Sequence, residues 1–287
     1  MVHVVALLHH ALGQRSVGST AGTGVADHER SDHGGRGRRR TGRAPRRVLA
    51  AVVGVATLAL GTACSPTPKP APEPTCAMPD PMPALAPGSL TLPAQPRVLV
   101  LGDSYTEGYG AEPETKGWAY LVGKPLGWKV TVDGIGGTGY LNPGPHNEGN
   151  YLQRLPKLQG RTFDLVVLQG GSNDRDATYP VLQDAVTRTI DTVRAEFPGT
   201  KILLLGPATP YGKPDEPRIT AQCVLAGHAV AQDLPFVDPL GEAWFVDGDG
   251  DRYANPVNGH PSNAGYKRIA ARFETDVRVL LGETKPS

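Results

Sequence analysis

RVLVLGDSYTEG, residues 97–108, joins a short apolar run to a serine that lies between glycines. Residues 97–102 are apolar after the first position and end in glycine, a pattern typical of a strand buried on both faces of a parallel sheet. Ser104 follows this strand directly. Ligands collect at the carboxyl ends of the strands in such sheets, so we expect reactive groups where further strands end.

Four later segments repeat the apolar pattern, and helical stripes separate the later ones. The strand-like segments are WKVTVD (128–133), FDLVVLQ (163–169), KILLLG (201–206) and LPFVD (234–238). The three helical stripes are Leu182, Val186, Ile190, Val193 and Phe197, then Ile219, Cys223, Ala226 and Val230, then Tyr266, Ile269, Phe273, Val277 and Leu280. Alternating strands and helices predict an α/β fold: a single-domain three-layer α/β/α sandwich with a five-stranded parallel sheet.

Three further strand ends or loops carry groups suited to chemistry on Ser104. A glycine turn, GIGGTG (134–139), follows the second strand; GGSND, with Asn173, follows the third; and GHPSNAGY, with His260, precedes the last helix. A serine hydroxyl is a weak nucleophile until a base takes its proton, and histidine titrates in the right range to do so. The other histidines after residue 64 are His146, predicted to lie in a loop, and His228, predicted to face solvent.

The glycine turn also fits the G-x-G-x-x-G spacing of a dinucleotide site through Gly134, Gly136 and Gly139. Such a turn should follow the first strand and run into a helix. Here it follows the second strand and runs into Pro143 and Pro145. We therefore expect no nucleotide, and interpret the turn as a source of backbone N–H groups for a developing oxyanion.

Taken in order, GDS, the glycine turn, GSND and HP before a terminal helix resemble the SGNH, or GDSL-type, hydrolase family from Leu99 to about Tyr266. The resemblance implies that Ser104 is the nucleophile and His260 the base. It also implies an oxyanion hole formed by the N–H of Ser104, a backbone N–H at Gly137 and the Asn173 side chain. The expected activity is ester hydrolysis through an acyl-serine, with no cofactor and no metal. An acyltransferase of the same fold and a non-catalytic wall- or lipid-binding protein are the alternatives.

The chain departs from the family's pattern three residues before the histidine, where Val257 replaces an aspartate. The base still needs its second ring nitrogen held. The candidates are an acid of DGDGD (247–251), Asp238, a backbone carbonyl of the final loop, or the side chain of Asn255 or Asn258. We favour the carbonyl or a loop acid over Asp238.

Several side chains near the expected site have two interpretations. Trp118 and Tyr120 either line an acyl site or pack a helix onto the sheet. Asp103 and Asp174 flank the expected catalytic positions, and we predict that they fix their loops by hydrogen bonds rather than react.

The N-terminal third differs in composition from the rest. Residues 1–63 hold nine of the 29 basic residues and three acids, and an uncharged run, VLAAVVGVATLALGTA, precedes Cys64. This pattern predicts an export signal, and LGTAC resembles a lipobox, so we expect a membrane anchor on Cys64 or, alternatively, cleavage near Ala63 and release. Residues 64–96 are predicted to form a proline-rich spacer that buries no core, and residues 97–287 the hydrolase domain. The segment from residue 64 onward has a net charge of −5, which gives no electrostatic reason to bind nucleic acid.

Besides Cys64, the chain contains only Cys76 and Cys223. An even count in an oxidising compartment is consistent with a disulfide that ties the spacer to the domain. A buried free thiol at Cys223 is the alternative, because that residue lies on a predicted apolar stripe.

Overall fold

The computed structural model describes residues 75–283, and these contain a five-stranded parallel sheet. The strands are β1 (Arg97–Gly102), β2 (Lys129–Gly134), β3 (Leu165–Gln169), β4 (Lys201–Leu205) and β5 (Phe236–Val237). Their order is β2-β1-β3-β4-β5, and all four pairings are parallel. The predicted α/β fold is confirmed, and β5 is shorter than its sequence pattern indicated.

Eight helices surround this sheet in the described part of the chain. They are α1 (Ser104–Glu107), α2 (Trp118–Leu121), α3 (Gly123–Leu126), α4 (Tyr151–Arg154), α5 (Tyr179–Glu196), α6 (Glu216–Gln232), α7 (Gly250–Tyr253) and α8 (Asn263–Leu280). Two 3-10 turns, Glu114–Lys116 and Leu155–Leu158, complete the regular structure. Among the helices of residues 75–283, none combines the length and apolar composition needed to cross a bilayer.

The alternation of side chains along β1 divides the interior into two apolar cores. Val98 and Val100 face the core shared with α2 and α8, whereas Leu99 and Leu101 face the core shared with α4, α5 and α6. Successive side chains of a strand point to opposite faces, so one apolar strand supplies both layers. This arrangement gives the predicted three layers.

Two of the three predicted helical stripes are buried as expected. The stripe of α8 lies in the first core and that of α5 in the second, where Phe197 follows the end of its helix. Trp118 of α2 packs its ring 4.9 Å from that of Phe273, centroid to centroid. Trp118 is therefore buried in the first core, where it packs α2 against α8, and Tyr120 in the same helix is exposed.

The predicted stripe of α6 is wrong at both ends. Ile219 and Val230 are exposed, whereas His228 is buried and its Nε2 lies 3.1 Å from the Gln183 carbonyl of α5. The prediction followed the larger side chains, but α6 packs through a face that is rich in alanine, where close approach to neighbouring elements is possible. The buried positions of α6 are Ala221, Gln222, Cys223, Val224, Leu225, Ala226, His228 and Ala229.

The described part of the predicted spacer, residues 75–96, contains no helix or strand before β1 but packs on the domain. Leu90 is buried in the first core, with Leu85 and Leu92 against it, so the expectation that this segment buries no core is wrong. A disulfide joins Cys76 to Cys223, across 147 residues. The proline-rich segment therefore has enough apolar side chains in its second half to bind its own domain. The predicted export segment and Cys64 lie outside the described residues.

Candidate active site

Ser104 and His260, which lie 156 residues apart, meet at the carboxyl end of the sheet. The Oγ of Ser104 is 2.9 Å from Nε2 of His260. Ser104 is the first residue of α1, and its side chain is almost fully buried. A contact of this length is suited to proton transfer between a hydroxyl and an imidazole.

The turn between β1 and α1 fixes the position of Ser104. The Asp103 carboxylate caps α1 by accepting a hydrogen bond of 2.9 Å from the Tyr105 N–H. Gly134, at the end of β2, lies so close to the backbone of α1 that a side chain there would overlap Glu107. The first glycine of the turn therefore serves close packing of a strand against the helix that carries Ser104. Burial raises the pKa of Asp103 to about 6.

A backbone carbonyl, rather than a carboxylate, holds the second ring nitrogen of His260. Nδ1 lies 3.2 Å from the Asn258 carbonyl oxygen. A carbonyl can only accept, so Nδ1 carries the proton and Nε2 is free to accept from Ser104. Val257 is 91% exposed and contributes nothing to the ring.

Three of the four acids proposed as substitutes, Asp238, Asp247 and Asp249, have other partners. Asp238 accepts from the Gln222 amide at 2.8 and 2.9 Å and from the Gly241 N–H. Asp247 pairs with Lys213 at 2.7 Å, and Asp249 accepts from the Val246 N–H. Asn258 also accepts, through its side chain, from the His260 N–H at 3.0 Å. Of the candidates predicted to hold Nδ1 of His260, the backbone carbonyl of Asn258 is the group that contacts the ring.

The surroundings of His260 favour its neutral form. Burial lowers the pKa of the imidazole below its ordinary value, and the nearby charge of Arg218 lowers it further. The Asn258 carbonyl acts in the opposite direction, because it accepts from the charged ring. Neutral imidazole is the form that can take a proton from serine.

The glycine turn and Asn173 lie together beside the Ser104–His260 pair. A Cβ built on Gly136 would lie 3.8 Å from that of Ser104, which places the turn against the nucleophile candidate. Gly137 has φ +76°, a conformation that favours glycine. The Asn173 Nδ2 donates to the Thr138 carbonyl at 2.9 Å, and its second N–H is left for another acceptor.

Asp174 links the glycine loop after β2 to the loop that carries Asn173. Its carboxylate accepts from three successive N–H groups of the glycine loop, those of Tyr140, Leu141 and Asn142, each at 2.9 Å. The Asn142 amide donates in return to the Asn173 carbonyl at 3.1 Å. The prediction that Asp103 and Asp174 fix their loops is confirmed by these hydrogen bonds.

Sequence reasoning missed a buried arginine that braces the same region. Arg154 donates to the carbonyls of Gly102 and Asp133, at the ends of β1 and β2, and to the Thr138 hydroxyl in the glycine loop. The sequence carries no clear signal for this role, because Arg154 follows Gln153 and Lys157 lies in the same stretch, YLQRLPKL.

Two tyrosines that contact the site were also missed. The Tyr109 ring meets the His260 ring edge to face, 4.8 Å between centroids. The Tyr266 hydroxyl donates to the Tyr109 carbonyl at 2.8 Å, which ties α8 to the loop after α1. The sequence pattern places Tyr266 on the core stripe of α8, and such a pattern does not show which group the tyrosine hydroxyl contacts.

Comparison with known proteins gives a consistent result. The model of the GDSL-like lipase/acylhydrolase family matches residues 100–268. A GDSL lipase of Mycobacterium tuberculosis is 33% identical over 194 residues, which cover 64% of this chain and 82% of the relative.

Solved structures support the same fold. The aryl esterase of M. smegmatis aligns with a TM-score of 0.51 at 20% identity, over 64% of this chain and 99% of that one. A carbohydrate acetylesterase from Sinorhizobium meliloti aligns with a TM-score of 0.52 at 17% identity, over the same shares of the two chains. At these identities the two structures show the fold alone.

Proposed function

The chain belongs to the GDSL-like lipase/acylhydrolase family, and from this premise we propose that it hydrolyses carboxylic esters through an acyl-serine intermediate on Ser104. The observation that carries the proposal is the 2.9 Å contact between the Ser104 Oγ and the His260 Nε2. It is supported by the free Nε2 lone pair that the Asn258 carbonyl enforces from the other side of the ring.

The reaction proceeds in two halves on this geometry. His260 takes the Ser104 proton at Nε2 as Oγ bonds to the ester carbonyl carbon, and the carbonyl oxygen becomes an oxyanion. The N–H groups of Ser104 and Gly137 and the free N–H of Asn173 donate to that oxyanion. The ester C–O bond then breaks, and the proton passes from Nε2 to the leaving alcohol. Water repeats the sequence on the acyl-serine and releases the acid.

The catalytic unit is a Ser–His dyad with a carbonyl in the place of the usual aspartate. A neutral carbonyl fixes the tautomer as a carboxylate does, but it stabilises the imidazolium less. The dyad therefore depends strongly on its oxyanion donors. The loops that supply those donors are held by the hydrogen bonds of the Asp174 carboxylate to three N–H groups and by the hydrogen bond from Arg154 to the Thr138 hydroxyl.

We also propose that the protein is exported and anchored through Cys64. The support is the basic and apolar pattern before Cys64, together with the Cys76–Cys223 disulfide, since disulfides persist in oxidising compartments. Wild-type protein should partition with membranes, and Cys64→Ala should release it or stop its maturation. Wild-type protein free in the culture medium would contradict the anchor.

The ester hydrolase proposal is tested with Ser104→Ala and p-nitrophenyl esters of increasing acyl length. The wild type should hydrolyse at least one ester and bind a fluorophosphonate probe covalently, and Ser104→Ala should do neither. Ser172→Ala, at a buried serine of the neighbouring strand-end loop, is the matched control and should keep both properties. Residual turnover or labelling in Ser104→Ala would exclude Ser104 as the nucleophile. Ester formation with an added alcohol in place of hydrolysis would assign an acyltransferase.

A further inference from the structure

Residues 254–261, which we call the His260 loop, present the base of the site. Ala254 and Pro261 form an isolated antiparallel bridge that closes this loop. The Asn258 carbonyl that holds Nδ1 of His260 belongs to the same loop. A backbone carbonyl points where its loop directs it, so the contacts that shape the His260 loop also orient the imidazole.

All four polar groups of Asn255, two in its backbone and two in its side chain, make hydrogen bonds. Its N–H donates to the His260 carbonyl at 2.6 Å, and its own carbonyl accepts from the Gly259 N–H at 2.8 Å. In the side chain, Oδ1 accepts from the Val257 N–H and Nδ2 donates to the Gly110 carbonyl, each at 2.9 Å. Asn255 is therefore bonded to three positions of the His260 loop and to one position outside it.

The Oδ1 bond shapes the turn that directs the Asn258 carbonyl. An asparagine oxygen that accepts from the N–H two residues later closes a tight turn, and here that N–H belongs to Val257, directly before Asn258. With its backbone held in this way, Val257 projects its side chain into solvent, 91% exposed. The next carbonyl along the chain lies 3.2 Å from Nδ1 of His260. The turn thus faces residue 257 away from the ring and brings the Asn258 carbonyl to it.

The Nδ2 bond joins the His260 loop to the segment that follows the nucleophile. Gly110 comes after α1, and the N–H of its neighbour Tyr109 donates to the Ser104 carbonyl at 3.0 Å. Gly110 has φ +101°, and a Cβ there would lie 3.0 Å from that of His260, so the two segments touch. Since a carbonyl can only accept, its bond to Asn255 needs the N–H that an amide side chain provides.

We propose that Asn255 is the positioning residue of the Ser104–His260 pair. Its Oδ1 directs the Asn258 carbonyl to Nδ1, and its Nδ2 sets the distance between the base and Ser104. In the described structure the Asn255 side chain makes no hydrogen bond to the imidazole or to the Ser104 hydroxyl, so it acts through the backbone that carries His260. The effect on rate rests on the proposed ester hydrolysis, whereas the orientation of the ring is measured without substrate.

Two substitutions separate the two side-chain bonds of Asn255. Asn255→Ser keeps an oxygen that can close the turn on the Val257 N–H, but its side chain is too short to reach Gly110. Asn255→Ala removes both bonds. The matched control is Asn263→Ala, because Asn263 links α8 to the segment after α1 by two hydrogen bonds with the Glu112 backbone, at 2.9 and 3.0 Å. Neither of these two bonds involves the His260 loop.

The nitrogen chemical shifts of the His260 ring, assigned by their absence from His260→Gln, report which ring nitrogen carries the proton. Nδ1 should carry it in the wild type and in Asn255→Ser, and in Asn255→Ala the proton should be divided between both nitrogens. With p-nitrophenyl acetate, kcat should fall about 10-fold in Asn255→Ser and about 100-fold in Asn255→Ala with little change in KM, since a small displacement of the base costs this much. Asn263→Ala should keep the wild-type tautomer and kcat.

A wild-type tautomer or a wild-type kcat in Asn255→Ala would overturn the proposal. Equal losses of kcat in Asn255→Ala and Asn263→Ala would also overturn it, because any link between the two segments would then be sufficient. Thermal unfolding shows whether each variant folds, and if Asn255→Ala does not, a wild-type kcat in Asn255→Ser overturns the proposal instead.

The two measurements separate this proposal from the proposed function. If the wild type hydrolyses no ester, the hydrolase is rejected, and the ring tautomers of the variants still decide whether Asn255 orients His260. If the wild type hydrolyses esters and both Asn255 variants match it, the positioning role is rejected and the hydrolase remains.

Discussion

At the scale of single residues, His260 operates between two opposing influences. The Asn258 carbonyl holds Nδ1–H and favours the charged ring, whereas burial and Arg218 disfavour it. Burial is the largest of these effects, so the pKa is lowered overall. In the proposed mechanism a neutral His260 can accept the serine proton, but the imidazolium that forms is less stabilised than it would be beside a carboxylate.

The lowered pKa of His260 predicts the acid limb of the pH–rate profile. Only the neutral ring can act as the base, so kcat/KM for a soluble ester should fall as pH decreases through the pKa of the free enzyme. That limb should lie below about 6.5, the ordinary histidine value. Arg218→Gln removes a positive charge near the ring, so the pKa should rise and the limb should move to higher pH.

Arg175→Gln is the matched control, because Arg175 pairs with the same Asp215 but is more exposed. It should leave the limb in place, and equal shifts in both variants would contradict a local effect of Arg218. Asp103 has a pKa of about 6 and titrates in the same range. The His260 ring protons should therefore be followed directly by NMR.

The proposed Ser104–His260 dyad, in which a carbonyl holds the ring, leads to a second prediction at this scale. Singly replacing the four candidate acids, Asp238, Asp247, Asp249 and Asp251, with asparagine should change kcat by less than about threefold, since in the described structure the Asn258 carbonyl holds Nδ1. His260→Gln should abolish turnover under the same conditions. Asp238→Asn is expected to lower thermal stability, because Asp238 is buried against Gln222. A loss of kcat above about 100-fold in any one of the four would identify a carboxylate partner.

Sequence patterns predict which residues lie close together in the site better than they predict the contacts that orient those residues. Ser104 and His260 were found because each occurs at a strand end or before a helix in a fixed order. For the hydrogen-bond partner of the His260 Nδ1, the sequence leaves several candidates. Every residue has a backbone carbonyl, and the loop conformation alone determines which carbonyl points at the ring. Val257 in the sequence shows that the usual aspartate is missing. Asn258 is a candidate there through its side chain, but in the structure its backbone carbonyl contacts the His260 ring.

At the scale of elements, the positions of the proposed oxyanion donors depend on how two loops are joined. The glycine loop after β2 and the GGSND loop after β3 are linked by the Asp174 carboxylate and by the Asn142 amide. These links pass over the end of β1, which lies between β2 and β3 in the sheet and is followed by Ser104 at the start of α1. The three parts of the proposed oxyanion hole therefore come from three neighbouring strand ends.

Asp174→Asn should lower kcat by about 10- to 100-fold with little change in KM, because misplaced donors weaken transition-state binding. An amide presents one oxygen in place of two, and its NH2 group would face the backbone N–H groups. Asp176→Asn, two residues further on and exposed, is the control and should behave as wild type. A rise in KM alone in Asp174→Asn would mean that the loops position the substrate rather than the oxyanion.

The errors in predicting elements have a common physical origin. The stripe of α6 was assigned from large side chains, but this helix packs closely through its alanines and leaves Ile219 and Val230 in solvent. His228 was placed in solvent for the same reason. Periodicity shows that a segment has a buried face, whereas the choice between two neighbouring faces depends on the shape of the partner elements.

At the scale of the whole molecule, the five-stranded parallel sheet and the two apolar cores on its faces agree with the alternation of strands and helices in the sequence. The start of the folded domain differs from the start at residue 97 that the amino-acid composition indicates. Residues 75–96 are rich in proline, which predicts an extended spacer, yet Leu85, Leu90 and Leu92 supply apolar contacts to the first core. Proline prevents regular structure in this segment without preventing burial, so composition alone places the boundary too late.

The Cys76–Cys223 disulfide joins this segment to α6 and gives the last prediction. A cross-link over 147 residues removes much of the freedom of the unfolded chain. A disulfide of this kind typically contributes about 2–4 kcal/mol, with the larger values for long loops. Cys76→Ala with Cys223→Ala should therefore lower the urea midpoint, while activity before the transition stays normal, because neither cysteine contacts Ser104 or His260. Reductant should lower the midpoint of the wild type by a similar amount and leave that of the double variant unchanged. If reductant has no effect on the wild type, the two thiols are not joined in solution, and Leu85, Leu90 and Leu92 hold the entry segment without a covalent link.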